Sequence, residues 1–99
     1  MFVTVSRFDV RPGEEDAFVA LHEAADVGSP SGIEGLISRE LLTDTANPSS
    51  FITLARYRSR EAAELHSHEL EDGDWFQRLV SLSRETPDTT LFRMAWKSE

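Results

Sequence analysis

Two segments near the ends of this chain alternate like strands, yet both of their faces are apolar. Successive side chains of a strand point to opposite sides. In residues 2–10, one side holds Phe2, Phe8 and Val10, and the other holds Val3 and Val5. In residues 89–96, one side holds Phe92, Met94 and Trp96, and the other holds Leu91 and Ala95. A sheet built from these segments must therefore be covered on both faces.

The rest of the chain supplies two helices and two further strands. Pro12-Gly13 ends the first strand, and the acidic residues 14–16 suit the first turn of a helix whose apolar stripe runs through Phe18 and Leu21. A loop at 28–35 leads to strands at 36–45 and 51–58, joined by a turn at 47–49 into a hairpin. Ser59 is a suitable N-cap for a second helix that is interrupted near 72–74 and resumes at Trp75.

This order, βαββαβ, predicts a single α+β domain over residues 1–99. Its simplest arrangement is ferredoxin-like, an antiparallel four-stranded sheet with both helices on one face. Two helices cover only one face, so the other apolar face predicts a homodimer formed sheet to sheet.

Charge and composition exclude several classes of function. Ten basic and eighteen acidic residues give a net charge of −8, which disfavours nucleic-acid and membrane binding. The chain has no cysteine, so it has no disulfide, thiolate nucleophile or iron–sulfur cluster. Neither a signal peptide nor a membrane span is predicted, and the expected location is the cytoplasm.

Several local motifs, taken together, resemble one known family. The run 10–18 resembles a strand that ends in an Arg-Pro-Gly turn before an acidic helix start, and 35–42 resembles the strand that follows. Residues 51–66 resemble that family's most recognisable stretch, an apolar strand followed by Ser-x-Glu-Ala and a helical histidine. The whole chain is thus similar to the antibiotic biosynthesis monooxygenase (ABM) family of dimeric α+β barrels. The resemblance implies a twofold dimer and, in some members, cofactor-free oxygenation of polycyclic phenols or heme degradation.

His66 is the candidate catalytic residue. It shares a helix face with Ala63 and Leu70, and it stands where the resemblance places the helical histidine. One interpretation is a histidine at the edge of the core. The other is a neutral imidazole that accepts a proton from a substrate phenol.

Four further residues are candidates for substrate binding. Tyr57, Trp75 and Phe76 are either core aromatics or the walls of a flat cleft between the second helix and the sheet. Ser6 either bonds to nearby backbone or presents its hydroxyl inside that cleft.

The remaining polar candidates receive structural interpretations. His66 and His68 are two residues apart on a helix and point about 200° apart, so no metal site is predicted. His22 is expected to be solvated. Alternation with Val5 and Leu91 places Arg7 and Arg93 on the dimer-facing side, where Asp9 or Glu40 could pair with them.

Residues that differ from those of the family's heme-degrading branch also restrict the reactions expected of this chain. In its heme-degrading branch, the resemblance places an Asn at Ser6, a Trp at His66 and the iron ligand near Trp75-Phe76, so heme degradation is disfavoured and no cofactor is expected. The sequence therefore predicts a cofactor-independent monooxygenase acting on an aromatic or quinone-like small molecule. The alternative is a non-catalytic ligand-binding or structural member of the same fold.

Overall fold

Four strands form one antiparallel sheet. The computed structural model describes residues 1–28, 34–71 and 73–98, apart from the side chains of 25–28 and 67–71. The strands are β1 (Phe2–Asp9), β2 (Leu36–Thr43), β3 (Ser50–Tyr57) and β4 (Asp88–Arg93). They lie in the order β2-β3-β1-β4, and every neighbouring pair is antiparallel. The predicted hairpin of β2 and β3 is confirmed.

Three helices complete the described fold: α1 (Glu15–Gly28), α2 (Arg60–Glu71) and α3 (Asp74–Ser81). The predicted N-cap is confirmed, because the Ala62 backbone N–H donates to Ser59 Oγ at 3.1 Å. The predicted interruption separates α2 from α3, although Asp72 itself lies outside the described residues. Residues 29–33 of the predicted loop also lie outside them. The architecture is the predicted α+β, ferredoxin-like fold, with its second helix divided in two.

Hydrogen bonds at the Arg-Pro-Gly turn connect the start of α1 to the sheet. Gly13 has a φ of 90°, a conformation that favours glycine, and its N–H donates to Glu15 Oε1 at 2.8 Å. The second carboxylate oxygen of Glu15 accepts a hydrogen bond from Ser49 Oγ at 2.6 Å. The Ser49 hydrogen bond is the main reason that the pKa of Glu15 is lowered. The start of α1 is thereby joined to the β2–β3 hairpin.

The helices pack on one face of the sheet, called here the covered face. It includes Thr4, Ser6 and Phe8 of β1 and their partners in register, Ala55, Thr53 and Phe51 of β3. Phe8 and Phe51 are buried with Val10, against Phe18 of α1 and Leu79 of α3. The opposite or open face includes Val3, Val5 and Arg7 of β1 and Arg56, Leu54 and Ile52 of β3. Within the described residues, no helix is long and apolar enough to cross a membrane.

The expectation for β4 was wrong in face and in length. Thr4 pairs with Leu91 and Phe2 with Arg93, so Leu91 and Arg93 lie on the covered side, while Phe92 pairs with Val3 on the open face. The strand ends at Arg93 rather than at residue 96. The last backbone bond at this end joins Met94 N–H to the oxygen of Met1, where the neighbouring strand runs out.

The charged residues of the open face pair differently from the expectation. Arg7 lies on that face as predicted. The two carboxylates expected to pair with Arg7 or Arg93 contact other arginines. Glu40 Oε1 is 3.3 Å from Arg56 Nε, and Asp9 Oδ2 is 4.0 Å from Arg84 Nε.

Candidate functional site

A partly open cavity of about 400 Å³ lies between the covered face of the sheet and the three helices. Such a volume is within the range of small-molecule sites, roughly 300–1,000 Å³. Most of its lining is apolar and comes from strands and helices alike, including Phe8, Val19, Leu41, Phe51, Ala55, Trp75, Phe76 and Leu79. The helices thus cover this face without filling the space beneath them.

Hydroxyl groups line the sheet side of the cavity. Thr4, Ser6 and Thr89 lie on the covered face of β1 and β4. Ser6 Oγ and Thr89 Oγ1 are 2.7 Å apart and form a hydrogen bond, in which either hydroxyl can donate. The partner of Ser6 is therefore a side-chain hydroxyl of the next strand. This pair places polar atoms on an otherwise apolar surface.

Tyr57 and His66 form a buried pair in the cavity wall. Tyr57 ends β3 and His66 lies one turn after Ala63 on α2, and the Tyr57 hydroxyl is hydrogen-bonded to His66 Nδ1. Their rings meet edge to face with centroids 5.5 Å apart. Burial raises the pKa of Tyr57, against the opposing effects of a Thr4 hydrogen bond and the charge of Arg39. The phenol consequently stays protonated at neutral pH.

A glycine lets α2 approach the sheet closely enough for this pair to form. Gly35 has a φ of 83°, and a Cβ there would lie 2.5 Å from the Cβ of Ala62. Any larger residue would therefore clash with α2, four positions before His66. The Arg58 N–H donates to the Gly35 carbonyl at 2.8 Å, which holds the loop before β2 next to the start of α2.

Trp75 and Phe76 close the cavity from α3. The indole N–H of Trp75 donates to the Leu21 carbonyl of α1 at 2.8 Å, so its only polar atom is satisfied and the ring is fixed in orientation. Both residues are partly buried, and both line the cavity. α3 is therefore tied to α1 across the cavity wall.

His22 of α1 also lines this cavity, and the expectation that it is solvated was wrong. Its ring lies against Phe18 and Trp75, with centroid distances of 4.8 Å and 5.1 Å. Nδ1 is 2.9 Å from the Phe18 carbonyl, while Nε2 is buried without a hydrogen-bond partner among the described residues. Burial, aided by the charge of Arg39, lowers the pKa of His22, although its bond to Phe18 opposes this effect. The imidazole is therefore neutral at neutral pH.

Arg39 is a second lining residue that the sequence reasoning missed. It pairs with Ala55 in the β2–β3 register, which places it on the covered face. Its charge contributes to the lowered pKa of His22 and only partly offsets the rise that burial causes in the pKa of Tyr57. Alternation along β2 could have found it, since Arg39 and Leu41 share a face. His22 also had a signal, because it follows Phe18 by four residues on one helix.

Comparisons with known proteins identify the family. Residues 1–78 match the family model described as antibiotic biosynthesis monooxygenase. This chain belongs to that family. No match to a functionally curated protein reaches significance at the sequence level.

Several solved structures share the fold of this chain at low sequence identity. Rv0793 from Mycobacterium tuberculosis is 20% identical with a TM-score of 0.80, over 99% of this chain and 98% of that one. A variant of SnoaB, a cofactor-independent oxygenase from Streptomyces nogalater, is 20% identical with a TM-score of 0.80, over 97% and 94%. A protein from Methanosarcina mazei Go1 is 17% identical with a TM-score of 0.75, over 93% and 90%. At these identities the likeness establishes the fold.

The structure of this ABM protein brings all five predicted site residues to one cavity: Ser6, Tyr57, His66, Trp75 and Phe76. Their roles in binding or catalysis stay predictions. Among the described residues, no three His, Cys, Asp or Glu side chains are grouped as metal ligands would be. The side chain of His68, half of the His-x-His spelling, lies outside the described part of the structure.

Proposed function

We propose that this protein is a cofactor-independent monooxygenase acting on an aromatic or quinone-like small molecule. The observation that carries the proposal is the cavity itself, about 400 Å³ and mainly apolar, with the Tyr57–His66 pair in its wall. A flat aromatic ring suits such a space, because its apolar faces are removed from water while a few polar groups set its orientation.

The reaction needs only a base and an electron-rich substrate. Loss of a proton from an anthrone or dihydroquinone leaves an enolate or phenolate, which gives electrons directly to O₂. In an anthrone, the new carbonyl takes one oxygen atom in place of two hydrogens, and the other oxygen leaves as water. Atoms and electrons balance with O₂ as the oxidant. The protein's part is to deprotonate, orient and desolvate the substrate.

In this proposal His66 is the proton acceptor, and Tyr57 lies between it and the substrate. The hydroxyl of a dihydroquinone, or of the enol tautomer of an anthrone, gives its proton to the Tyr57 oxygen as the Tyr57 proton passes to His66 Nδ1. Trp75 and Phe76 contact the ring of the substrate, and the Ser6–Thr89 hydroxyl pair binds a substrate oxygen. The buried position of His66 supports this role, because water that is excluded from a site cannot compete for the transferred proton.

Oxygen uptake tests the function directly. Wild type and His66→Ala are compared with anthrones, dihydroquinones and simple phenols in an oxygen-electrode assay, with quinone formation measured in parallel. The wild type should consume one O₂ per quinone formed, and His66→Ala should lower turnover by about 10²–10⁴. Tyr57→Phe is the matched variant that interrupts the same transfer. Circular dichroism of both variants establishes that they are folded.

Uptake indistinguishable from buffer across the whole panel contradicts the oxygenase proposal. The alternative, a ligand-binding member of the family, then follows if the same compounds bind the wild type. Under that alternative, the His66→Ala change alters affinity without altering any chemistry.

We also propose that the protein is a homodimer formed through the open face of the sheet. Val3, Val5, Ile52 and Leu54 are partly exposed there, and Leu42 and Phe92 are exposed. Apolar side chains gathered on one face of a sheet are typical of an interface. The opposite face already carries the helices and the cavity, so dimerisation through the open face leaves the cavity accessible.

A further inference from the structure

We propose that His22 binds and deprotonates an acidic hydroxyl of the ligand, so that the cavity selects phenols and enols over their ethers. This inference rests on the proposed function and deepens it, because it names the ligand group recognised and a second proton acceptor. It is carried by the hydrogen bonding of one imidazole ring.

The hydrogen bond to Phe18 fixes the tautomer of His22. A backbone carbonyl can only accept, so Nδ1, 2.9 Å from the Phe18 oxygen, must carry the proton. The neutral ring then has its lone pair on Nε2. That atom has almost no contact with solvent and no hydrogen-bond partner among the described residues. Buried acceptors are nearly always satisfied in native proteins, so a bound hydroxyl at Nε2 accounts for this exception.

The surroundings of His22 keep its ring neutral at neutral pH, so that Nε2 is available as an acceptor. Phe18 of its own helix and Trp75 of α3 flank the ring and exclude water. The charged and titratable groups lining the same cavity are Glu23 of α1, Arg39 and Glu40 of β2, and the Tyr57–His66 pair across it. Glu40 contacts Arg56. Arg39, which lowers the pKa of His22, is also the cation that can stabilise the oxyanion left behind.

His22 and His66 differ in what their nitrogens already do. Nδ1 of His66 is committed to the Tyr57 hydroxyl, so His66 exchanges a proton through a neighbour. Nε2 of His22 can accept directly. In the proposed step the ligand O–H bond breaks, its electron pair stays on oxygen, and a new N–H bond forms on Nε2. The products are an oxyanion and an imidazolium, with no change of oxidation state. Ligand contact requires a movement of the side chains that line the cavity wall around the ring.

Binding of two matched probes tests the inference. The probes are 1-naphthol and 1-methoxynaphthalene, which share a ring system and differ in hydroxyl donation, and calorimetry measures their affinities. The wild type should prefer naphthol by roughly threefold to tenfold, the value of one net hydrogen bond. His22→Gln keeps an acceptor and should keep the preference, whereas His22→Phe should lose it. Gln77→Phe, which introduces the same side chain at an exposed position of α3 outside the cavity lining, is the matched control and should retain it.

Turnover separates binding from proton transfer. If the panel of phenols and anthrones is oxidised, His22→Gln should lower kcat by about 10²–10⁴ with little change in KM, because glutamine accepts a hydrogen bond but not a proton. The pH profile of kcat should lose the part of its acidic limb that His22 contributes, while the part that depends on His66 remains. Unchanged kcat in His22→Gln would overturn the role as base.

A direct measurement avoids reliance on the variants. With ¹⁵N-labelled histidine, the wild type should show one unprotonated Nε2 resonance assigned to His22, and 1-naphthol should shift it while the ether leaves it unmoved. Equal affinities for the two probes, no binding of either, or no shift overturns the inference.

The failures of the two proposals are distinguishable. Oxidation of the panel with an unchanged hydroxyl preference in His22→Phe overturns the role of His22 and leaves the oxygenase proposal intact. A hydroxyl preference that depends on His22, without any oxygen uptake, supports recognition of hydroxyl ligands by a protein that is not an oxygenase.

Discussion

On the covered face of the sheet, Phe8, Phe51 and Tyr57 are 4% exposed or less, whereas on the open face Leu42 and Phe92 are about half exposed. One sheet supplies both sets of side chains, the buried ones from β1 and β3 and the half-exposed ones from β2 and β4. The covered face is closed within one chain by α1, α2 and α3, yet it keeps a cavity with polar groups in its wall. The open face carries exposed apolar side chains together with Arg7, Arg56 and Glu40, and no described helix covers it. In the two proposals above, ligand recognition and self-association therefore use opposite sides of one sheet.

The largest effect should come from placing a charge on the open face. Val5 pairs with Leu54 of β3 and Thr90 of β4, near the middle of that face. In the proposed dimer, Val5→Glu buries an unpaired carboxylate, which costs roughly 3–5 kcal/mol. Sedimentation at micromolar concentration should give about twice the 11.2 kDa monomer mass for wild type, and a monomer or unfolded chain for the variant.

Gln77→Glu is the matched control, because it adds the same charge at an exposed position of α3. It should sediment like the wild type. A stable wild-type monomer at these concentrations would refute the assignment of the open face to self-association.

Truncating one phenylalanine on each face should sharpen the comparison. Phe51 is 4% exposed in the core against Phe18, and Phe51→Ala should lower the free energy of unfolding by about 3–5 kcal/mol at any protein concentration. Phe92 is 52% exposed on the open face. The cost of Phe92→Ala should be small in the monomer and should grow with concentration, because the ring is exposed in the monomer and buried in the proposed dimer.

Urea unfolding at two protein concentrations about a hundredfold apart measures both variants. A cost of Phe92→Ala that does not depend on concentration would place the ring outside the interface. The two faces would then differ in exposure but not in function.

The sequence predicted the fold because the signals for it are local. Alternation in residues 2–10, the Pro12-Gly13 turn and the Ser59 cap depend on neighbouring residues, and the structure confirms the elements they define. The face of β4 depends on its register with β1, which no residue of β4 specifies alone. Its apolar residues near 94–96 suggested a longer strand, but β1 begins at Phe2 and provides no further partner. Trp96 is 80% exposed as a result.

The site was only partly predictable, because some of its residues are placed by contacts between distant parts of the chain. His66 and Tyr57 were identified through an apolar helix face and a strand end close together in the chain. His22 was missed because its burial depends on Trp75, which is 53 residues away and reaches α1 through a hydrogen bond to Leu21. Arg39 was missed because a charged residue in a strand at the edge of a sheet ordinarily faces water. Its position in the cavity depends on how the helices leave space there.

The smallest of these effects is a pH dependence that should arise on the covered face alone. Burial lowers the pKa of His22 in the folded chain, while the unfolded chain titrates near the ordinary value of about 6.5. Below that value the unfolded state binds more protons than the folded state, so folding stability must fall as the pH decreases. The contribution of His22 is therefore fully present above about pH 6.5 and is lost progressively as the pH falls towards the lowered pKa of the folded state.

Urea unfolding of wild type and His22→Gln from about pH 8 to about pH 5 measures this contribution as the difference between the two proteins, which removes the titration of other groups. The free energy of unfolding of the wild type, relative to that of His22→Gln, should decrease towards acid pH. This difference should not depend on protein concentration, since His22 lies away from the open face. A difference that stays constant across this range would mean that the imidazole titrates normally in the folded chain, and a concentration-dependent one would mean that the two faces are coupled.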